Sequence, residues 1–134
     1  MDATIDTFRG LLVRKEQGMK EGWEFKYCEV DRVIDGDSLV LSIDTGFYHS
    51  AKVHVRLLGV DTPERTEDAE KWRLSREYVS NWLIEAKELS FFCTGPDKYG
   101  RRWLGVIRNH RGESLADVLI FSGHGVRYHG EKKV

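Results

Sequence analysis

Residues 51–60 read as a strand with period two, and over 52–57 polar and branched apolar side chains alternate strictly. Val53, Val55 and Leu57 fall on one side, and Lys52, His54 and Arg56 on the other. A period of two belongs to a β-strand, so this stretch must pack one face and show a cationic face to solvent or to a ligand. Asp61-Thr62-Pro63-Glu64 follows at once, and the proline ends the strand because it has no N–H for a ladder bond. A half-packed strand needs neighbours, which the flanking sequence supplies. Residues 23–33 and 38–43 read as strands joined by the turn Asp35-Gly36-Asp37. Asp44-Thr45-Gly46 offers a hairpin turn before the alternating segment.

A polar loop then leads into 69–87, where Trp72, Val79, Trp82, Leu83 and Ala86 share a helical face. Short strands are expected at 89–93 and 103–108, and Trp103 is expected to pack into the core. Ser114 can cap a short helix with Leu115, Val118 and Leu119 inward, and Gly123 and Gly125 end it. Residues 1–22 stand apart. Ile5, Phe8 and Leu12 suggest a weak amphipathic helix, followed by the polar connector EQGMKEG, so this part is expected to be a helical or flexible extension. The domain proper is placed at 23–130, with 131–134, including Lys132-Lys133, as a tail. The fold class is α+β, mainly β. A five-stranded OB-type barrel with two packed helices fits the element order, as does another α+β sandwich, and periodicity alone does not choose between them.

The 134 residues suit one domain, and no apolar run is long enough to span a bilayer. The chain opens on acids without a signal-peptide pattern, so as written it reads as cytoplasmic. A chain from which a signal had been removed would look the same and would be secreted or periplasmic. Membrane association is not expected, and a monomer is. Cys28 and Cys93 are too few for a disulfide framework and read as buried thiols, with a single bridge left open. The formal charge is -1, which excludes a strongly cationic sleeve, but it arises by cancellation. Residues 1–94 hold 13 basic and 18 acidic side chains, and residues 95–134 hold 8 and 4. Any positive patch is therefore local.

Three clusters could carry chemistry: Asp35-Gly36-Asp37; Arg56 with Asp61-Thr62-Pro63-Glu64; and Asp97-Lys98-Tyr99-Gly100-Arg101-Arg102. Alone, each reads better as a turn or as surface ion pairs than as a site. Together, if a barrel closes, Asp37, Asp61 and Glu64 converge, and converging carboxylates call for a cation. All-oxygen ligands favour Ca²⁺ or Mg²⁺, with water completing a shell of about six to eight oxygens for Ca²⁺. Arginine forks match phosphate geometry. Acids, a hard cation and two arginines describe metal-assisted phosphoryl chemistry. The five histidines, at 49, 54, 110, 124 and 129, show no ligand spacing.

The same three blocks, VIDGDS at 33–38, RLLGVDTPE at 56–64 and DKYGRRW at 97–103, closely resemble the signature blocks of the staphylococcal nuclease (thermonuclease) family, in the family's order. The resemblance covers about residues 23–128. It implies a five-stranded OB-fold barrel and Ca²⁺-dependent cleavage of DNA and RNA that leaves 3′-phosphate ends, with single-stranded or frayed regions favoured. It implies Asp37 and Asp61 as calcium ligands with the Thr62 carbonyl, and Asp35 as a neighbouring acid outside the ion's own shell. Glu64 would activate or orient the attacking water, and Arg56 and Arg101 would hold the phosphate. Lys98 and Tyr99 would contact a terminal phosphate, and Tyr128 would stack a terminal base. The loop after Glu64, ERTEDAEKW, is short and acidic, and Arg102 stands where the family has a small residue. The rival class is a non-catalytic barrel of the same kind that binds single-stranded nucleic acid or a protein partner.

Overall fold

The computed structural model describes residues 12–15 and 21–129. Its elements, in chain order, are β1 (Leu12–Lys15), β2 (Glu21–Asp35), β3 (Ser38–Gly46), β4 (His49–Leu57), β5 (Val60–Asp61), α1 (Ala69–Glu85), β6 (Leu89–Pro96), β7 (Trp103–Arg108), α2 (Leu115–Phe121) and β8 (Val126–Arg127). The main sheet runs β1-β2-β3-β4-β7-β6, and a further β2–β6 pairing closes strands β2, β3, β4, β7 and β6 into a five-stranded barrel. This is the OB-like architecture with two helices, and it decides against an open sandwich.

Closure depends on β2. Its 15 residues pair with β6 in the N-terminal half and with β3 in the C-terminal half. Register shifts at Val30/Arg32 and Val33/Asp35, and at Phe25/Cys28, bend the strand sharply enough to serve two sheet edges. The alternation of β4 holds: Val55 and Leu57 are buried, while Lys52 and His54 are exposed. The barrel interior is filled by Leu39, Leu41, Val55, Leu57, Phe91 and Ile107, capped by Val79 and Leu83 of α1 and by Leu115 and Leu119 of α2. Each helix starts on the side-chain cap expected of such residues. Asp68 accepts from the Lys71 N–H at 3.1 Å, and Ser114 accepts from the Asp117 N–H at 3.3 Å. No helix among the described residues is long and apolar enough to cross a membrane.

Four expectations need correction. Leu12–Lys15 is not helical. It is a strand, pairing antiparallel with Glu21–Glu24 at the free edge of β2, which supplies backbone partners that an isolated short helix lacks. Ile5, Phe8, residues 16–20 of the connector and the 131–134 tail lie outside the described residues. The β3–β4 hairpin turns two residues later than Asp44-Thr45-Gly46. Pairing continues through Asp44↔Ser50 to Gly46↔His49, and the loop residues Phe47 and Tyr48 take positive φ, 57° and 63°. Trp103 is 43% exposed and does not fill the barrel. Trp72 is half-buried and makes a polar bond, described below. The two cysteines are free and buried. They face Leu89 and Trp23 across the β2–β6 ladder, not each other. Burial pushes the Cys28 thiol up to about 12, with Asp44 and Glu24 adding to the effect against a backbone bond at Phe91, and burial raises Cys93 as well. Neither thiol is a nucleophile at neutral pH.

Candidate active site

The barrel brings the three sequence blocks to one end through its registers. The tight turn between β2 and β3 pairs Asp35 with Ser38. Across the next ladder Ser38 faces Arg56. β7 then runs parallel to β4, with Arg56 opposite Leu104. Two main-chain bonds lock the seam, from Leu57 N–H to the Asp37 carbonyl and from Leu58 N–H to the Gly105 carbonyl, both 2.9 Å. The C-terminal segment is fixed by β5–β8 pairing, Val60↔Arg127 and Asp61↔Val126, and by Tyr128 N–H donating to the Gly59 carbonyl at 3.0 Å.

These contacts surround a cavity of about 410 Å³ whose lining includes Asp35, Asp37, Arg56, Asp61, Thr62, Glu64, Asp97, Lys98, Tyr99, Arg102 and Tyr128. Nine of the ten residues expected at the site are thus brought together. Arg101 is the exception: its side chain is exposed and does not line the cavity. Residues 100–102 form a bend just before β7, and Arg102 and Leu104 line the cavity while Arg101 and Trp103 do not.

The acids meet on one guanidinium. Arg56 Nη2 lies 3.6 Å from Asp37 Oδ2 and 3.4 Å from Asp61 Oδ1. Arg56 Nη1 donates to the carbonyls of Leu57 (2.7 Å) and Val60 (2.9 Å). Three of its five donors are therefore hydrogen-bonded within the protein, Nη2 also faces Asp37 as an ion pair, and the side chain is 13% exposed. The guanidinium also stands 5.6 Å from the centre of the Tyr128 ring, a cation–π contact. Asp37 is buried and accepts from Thr62 N–H at 3.0 Å, which ties the first block to the second. Asp35 accepts from the Trp72 indole N–H at 2.7 Å. Trp72 in turn sits against the guanidinium groups of Arg76, 4.7 Å, and Arg65, 5.3 Å. The helical spacing of Trp72 marks it as a core residue. Only the fold shows that its polar edge anchors the acidic turn.

Glu64 is exposed at the cavity rim. Its carbonyl accepts from Glu67 and Asp68 N–H at 3.0 and 3.1 Å, which holds the loop in a tight turn before α1. On the opposite wall, the Asp97 carboxylate organises its loop, accepting from the N–H groups of Tyr99 (3.1 Å) and Arg101 (3.0 Å) and from Arg102 Nε (3.3 Å). Lys98 Nζ rests 5.8 Å from the centre of the 76% exposed Tyr99 ring. Burial alone would raise the Asp97 carboxyl. The N–H of Arg101, the Arg102 guanidinium and the N–H groups of Arg102 and Tyr99 outweigh it, and the net shift is downward. A depressed folded pKa means that the loop's gain is full above the unfolded value, about 3.9, and is lost as pH falls through the folded value. In a carboxyl NMR titration, Asp97 is expected to show a midpoint below that of an unfolded aspartate. A midpoint at or above it contradicts the bonding described.

Charge is the decisive property of this cavity. Its lining holds five carboxylates (Asp35, Asp37, Asp61, Glu64, Asp97) and three cations (Arg56, Lys98, Arg102), an excess of two negative charges. Among the described residues, no group of three or more His, Cys, Asp or Glu side chains is arranged to hold a metal ion. A hard cation here would rest on two carboxylates, a main-chain carbonyl and water. The chain matches no known family model and no curated protein significantly.

Proposed function

We propose that the protein is a calcium-dependent phosphodiesterase that cleaves DNA and RNA, favours single-stranded or frayed regions and leaves 3′-phosphate ends. The observation that carries the reading is the approach of Asp37 and Asp61 to a single Arg56 nitrogen, in a cavity whose lining is net negative. An anionic phosphodiester is repelled by such a lining unless a cation joins it. The residues present fit that ion: two carboxylates with oxygens directed to one point, and a Thr62 carbonyl in the adjacent segment, are hard oxygen donors suited to Ca²⁺. Bound there, Ca²⁺ would offset the acid excess, draw a phosphate oxygen and polarise water.

The chain's own residues supply the rest. Glu64, exposed at the rim, orients the attacking water and takes up its proton. Water attacks phosphorus in line with the 5′ oxygen; the P–O5′ bond breaks, and the leaving oxygen takes a proton from solvent to become a 5′-hydroxyl. Arg56 and a second arginine neutralise the charge that grows on the equatorial oxygens. Asp35 keeps the β2–β3 turn fixed through Trp72. Lys98 and Tyr99 receive a neighbouring phosphate, and Tyr128 offers a ring face to a base. The motif blocks resemble those of the thermonuclease family, and the barrel geometry supports the resemblance. A non-catalytic barrel that binds single strands has no use for paired acids beside its groove, since they repel the phosphate backbone without a cation.

End-group analysis tests the reaction course. Oligonucleotide fragments made in Ca²⁺ are expected to carry 5′-hydroxyl ends that polynucleotide kinase labels without prior phosphatase treatment. Fragments that need phosphatase first, and so carry 5′-phosphate, contradict in-line expulsion of the 5′ oxygen.

A further inference from the structure

We infer that a second cavity, across Tyr128 from the candidate active site, binds a phosphate of a single strand that continues past that ring. The inference rests on the proposed function for its ligand class, single-stranded polynucleotide, and on a separate set of residues for its location. Residues 95–134 hold 8 basic and 4 acidic side chains, and the site described so far draws on those at 98–102. Arg108 and Arg127 stand outside it. β7 ends on Arg108, where a backbone bridge to Ser114 leads the chain toward α2. β8 carries Arg127, held opposite Val60. Both arginines line one cavity of about 410 Å³, whose apolar wall includes Leu58 and Val106.

Tyr128 and Gly59 line both this cavity and the first, so a base stacked on the Tyr128 ring would sit at their boundary. Tyr128 also lines a third cavity, of about 850 Å³, beside α1. A strand leaving the first cavity past Tyr128 therefore has two ways to go, and charge chooses between them. The third cavity sets Asp61, Glu67 and Asp68 against Lys71 and Arg127, an excess of one negative charge with histidines counted neutral. The second sets Arg108 and Arg127 against Asp117, an excess of one positive charge. Arg127 is exposed and makes no ion pair among the described residues. A phosphate entering here meets guanidinium forks and needs no metal ion to offset the lining. An aromatic ring followed by a basic groove holds single strands whatever their sequence.

The test is equilibrium binding of fluorescent, single-stranded phosphorothioate DNA, a dinucleotide and an octanucleotide, in Ca²⁺ across a salt series. The proteins are wild type, Arg108→Gln, Arg108→Lys, Arg127→Gln, Asp117→Asn and Lys71→Gln. Each phosphate contact on a single strand adds about 0.7 to the slope of log affinity against log salt, or roughly fivefold in affinity for each tenfold fall in salt. Arg108→Gln and Arg127→Gln are each expected to weaken octanucleotide binding about fivefold and to flatten its slope by about 0.7. The dinucleotide, which ends at the first cavity, should bind both variants as it binds wild type. Arg108→Lys should keep the slope, because it keeps the charge. Asp117→Asn should tighten octanucleotide binding, because it removes the carboxylate that faces the two arginines. Lys71→Gln, which touches the third cavity and not the second, should leave the slope unchanged.

Loss of fold in Arg108→Gln would weaken both lengths alike, in which case Arg127→Gln and Asp117→Asn, both at exposed residues, decide. An unchanged octanucleotide slope in a folded Arg108→Gln, or flattening in Lys71→Gln in its place, overturns the assignment. So does a wild type that binds the octanucleotide no more tightly than the dinucleotide. Octanucleotide binding that depends on Arg108 and Arg127 while unmodified DNA stays intact in Ca²⁺ would overturn the nuclease reading and leave the second site standing.

Discussion

Arg56→Lys is expected to lower the rate of polynucleotide cleavage by about 10³-fold or more, the scale on which one arginine acts in other phosphoryl-transfer enzymes. The reason is the number of contacts the guanidinium makes. Arg56 bonds two carbonyls through Nη1 and faces two carboxylates through Nη2. A lysine ammonium is a compact point charge with three donors, so it keeps the sign and loses the planar bridge. Without that bridge Asp37 and Asp61 are no longer held toward a common point, and the positive charge that faces the phosphate is displaced. Lysine leaves a positive charge beside two carboxylates that are 10% and 14% exposed, which protects the fold from an uncompensated buried pair. Circular dichroism and thermal melting should therefore show a folded barrel while initial rates collapse. A folded variant with activity within tenfold of wild type would remove Arg56 from the chemistry and leave it as a structural ion pair.

Gly36→Ala should produce a large loss of stability at the turn that carries Asp35 and Asp37. The β2–β3 turn passes so close to the floor of the cavity that a Cβ on residue 36 would lie 2.8 Å from Ser75 Oγ, and 3.0 Å from both Thr62 Cγ2 and Thr62 Oγ1. Ser75 is fully buried on α1, and its hydroxyl is bonded to the Trp72 carbonyl at 3.0 Å, so it does not swing away freely. Overpacking of this kind costs about 1–3 kcal/mol, which for a domain of this size lowers the melting temperature by roughly 5–15 °C. The same methyl pushes the turn that carries Asp35 and Asp37 away from Thr62, so calcium affinity is expected to fall as well. Adding Ser75→Ala should restore part of the stability, because it removes the nearest contact and leaves the two to Thr62. A single variant as stable as wild type would mean that the turn does not approach α1 as described.

The fold was legible wherever local pattern and burial agree. The alternation of 51–57 survives intact in β4, because one face of that strand meets the core and the other meets solvent. Ser114 caps α2 as its position predicts. Pattern failed where backbone partners came from far away in sequence. Leu12–Lys15 becomes a strand because β2 offers it an edge, which no local spacing can reveal. The hairpin turn moved to Gly46–His49, where aromatic residues occupy positive-φ positions usually filled by asparagine or glycine, so the turn chemistry in the sequence pointed elsewhere.

At the site, the three motif blocks located eight of the ten expected residues, and the C-terminal segment supplied a ninth, Tyr128. What they could not specify was which neighbour of the Arg101-Arg102 pair lines the cavity, because the pair sits in a bend before β7, where no strand alternation fixes it. They were equally silent on Trp72, whose helical spacing marks it as core while its indole N–H reaches 37 residues back to Asp35. The overall charge of -1 takes on a definite meaning in this light. It coexists with a locally acidic cavity, and that acidity is the physical argument for a cation.

The central claim is that an added cation turns this acid-lined cavity into a catalyst of phosphodiester cleavage. The most direct measurement incubates the purified protein with plasmid DNA and with single-stranded RNA, in Ca²⁺ and in EGTA, and follows chain length over time. The account predicts that both polymers are degraded in Ca²⁺ and remain intact in EGTA. Polymers that stay intact under both conditions, or degradation that proceeds equally in EGTA, would contradict it.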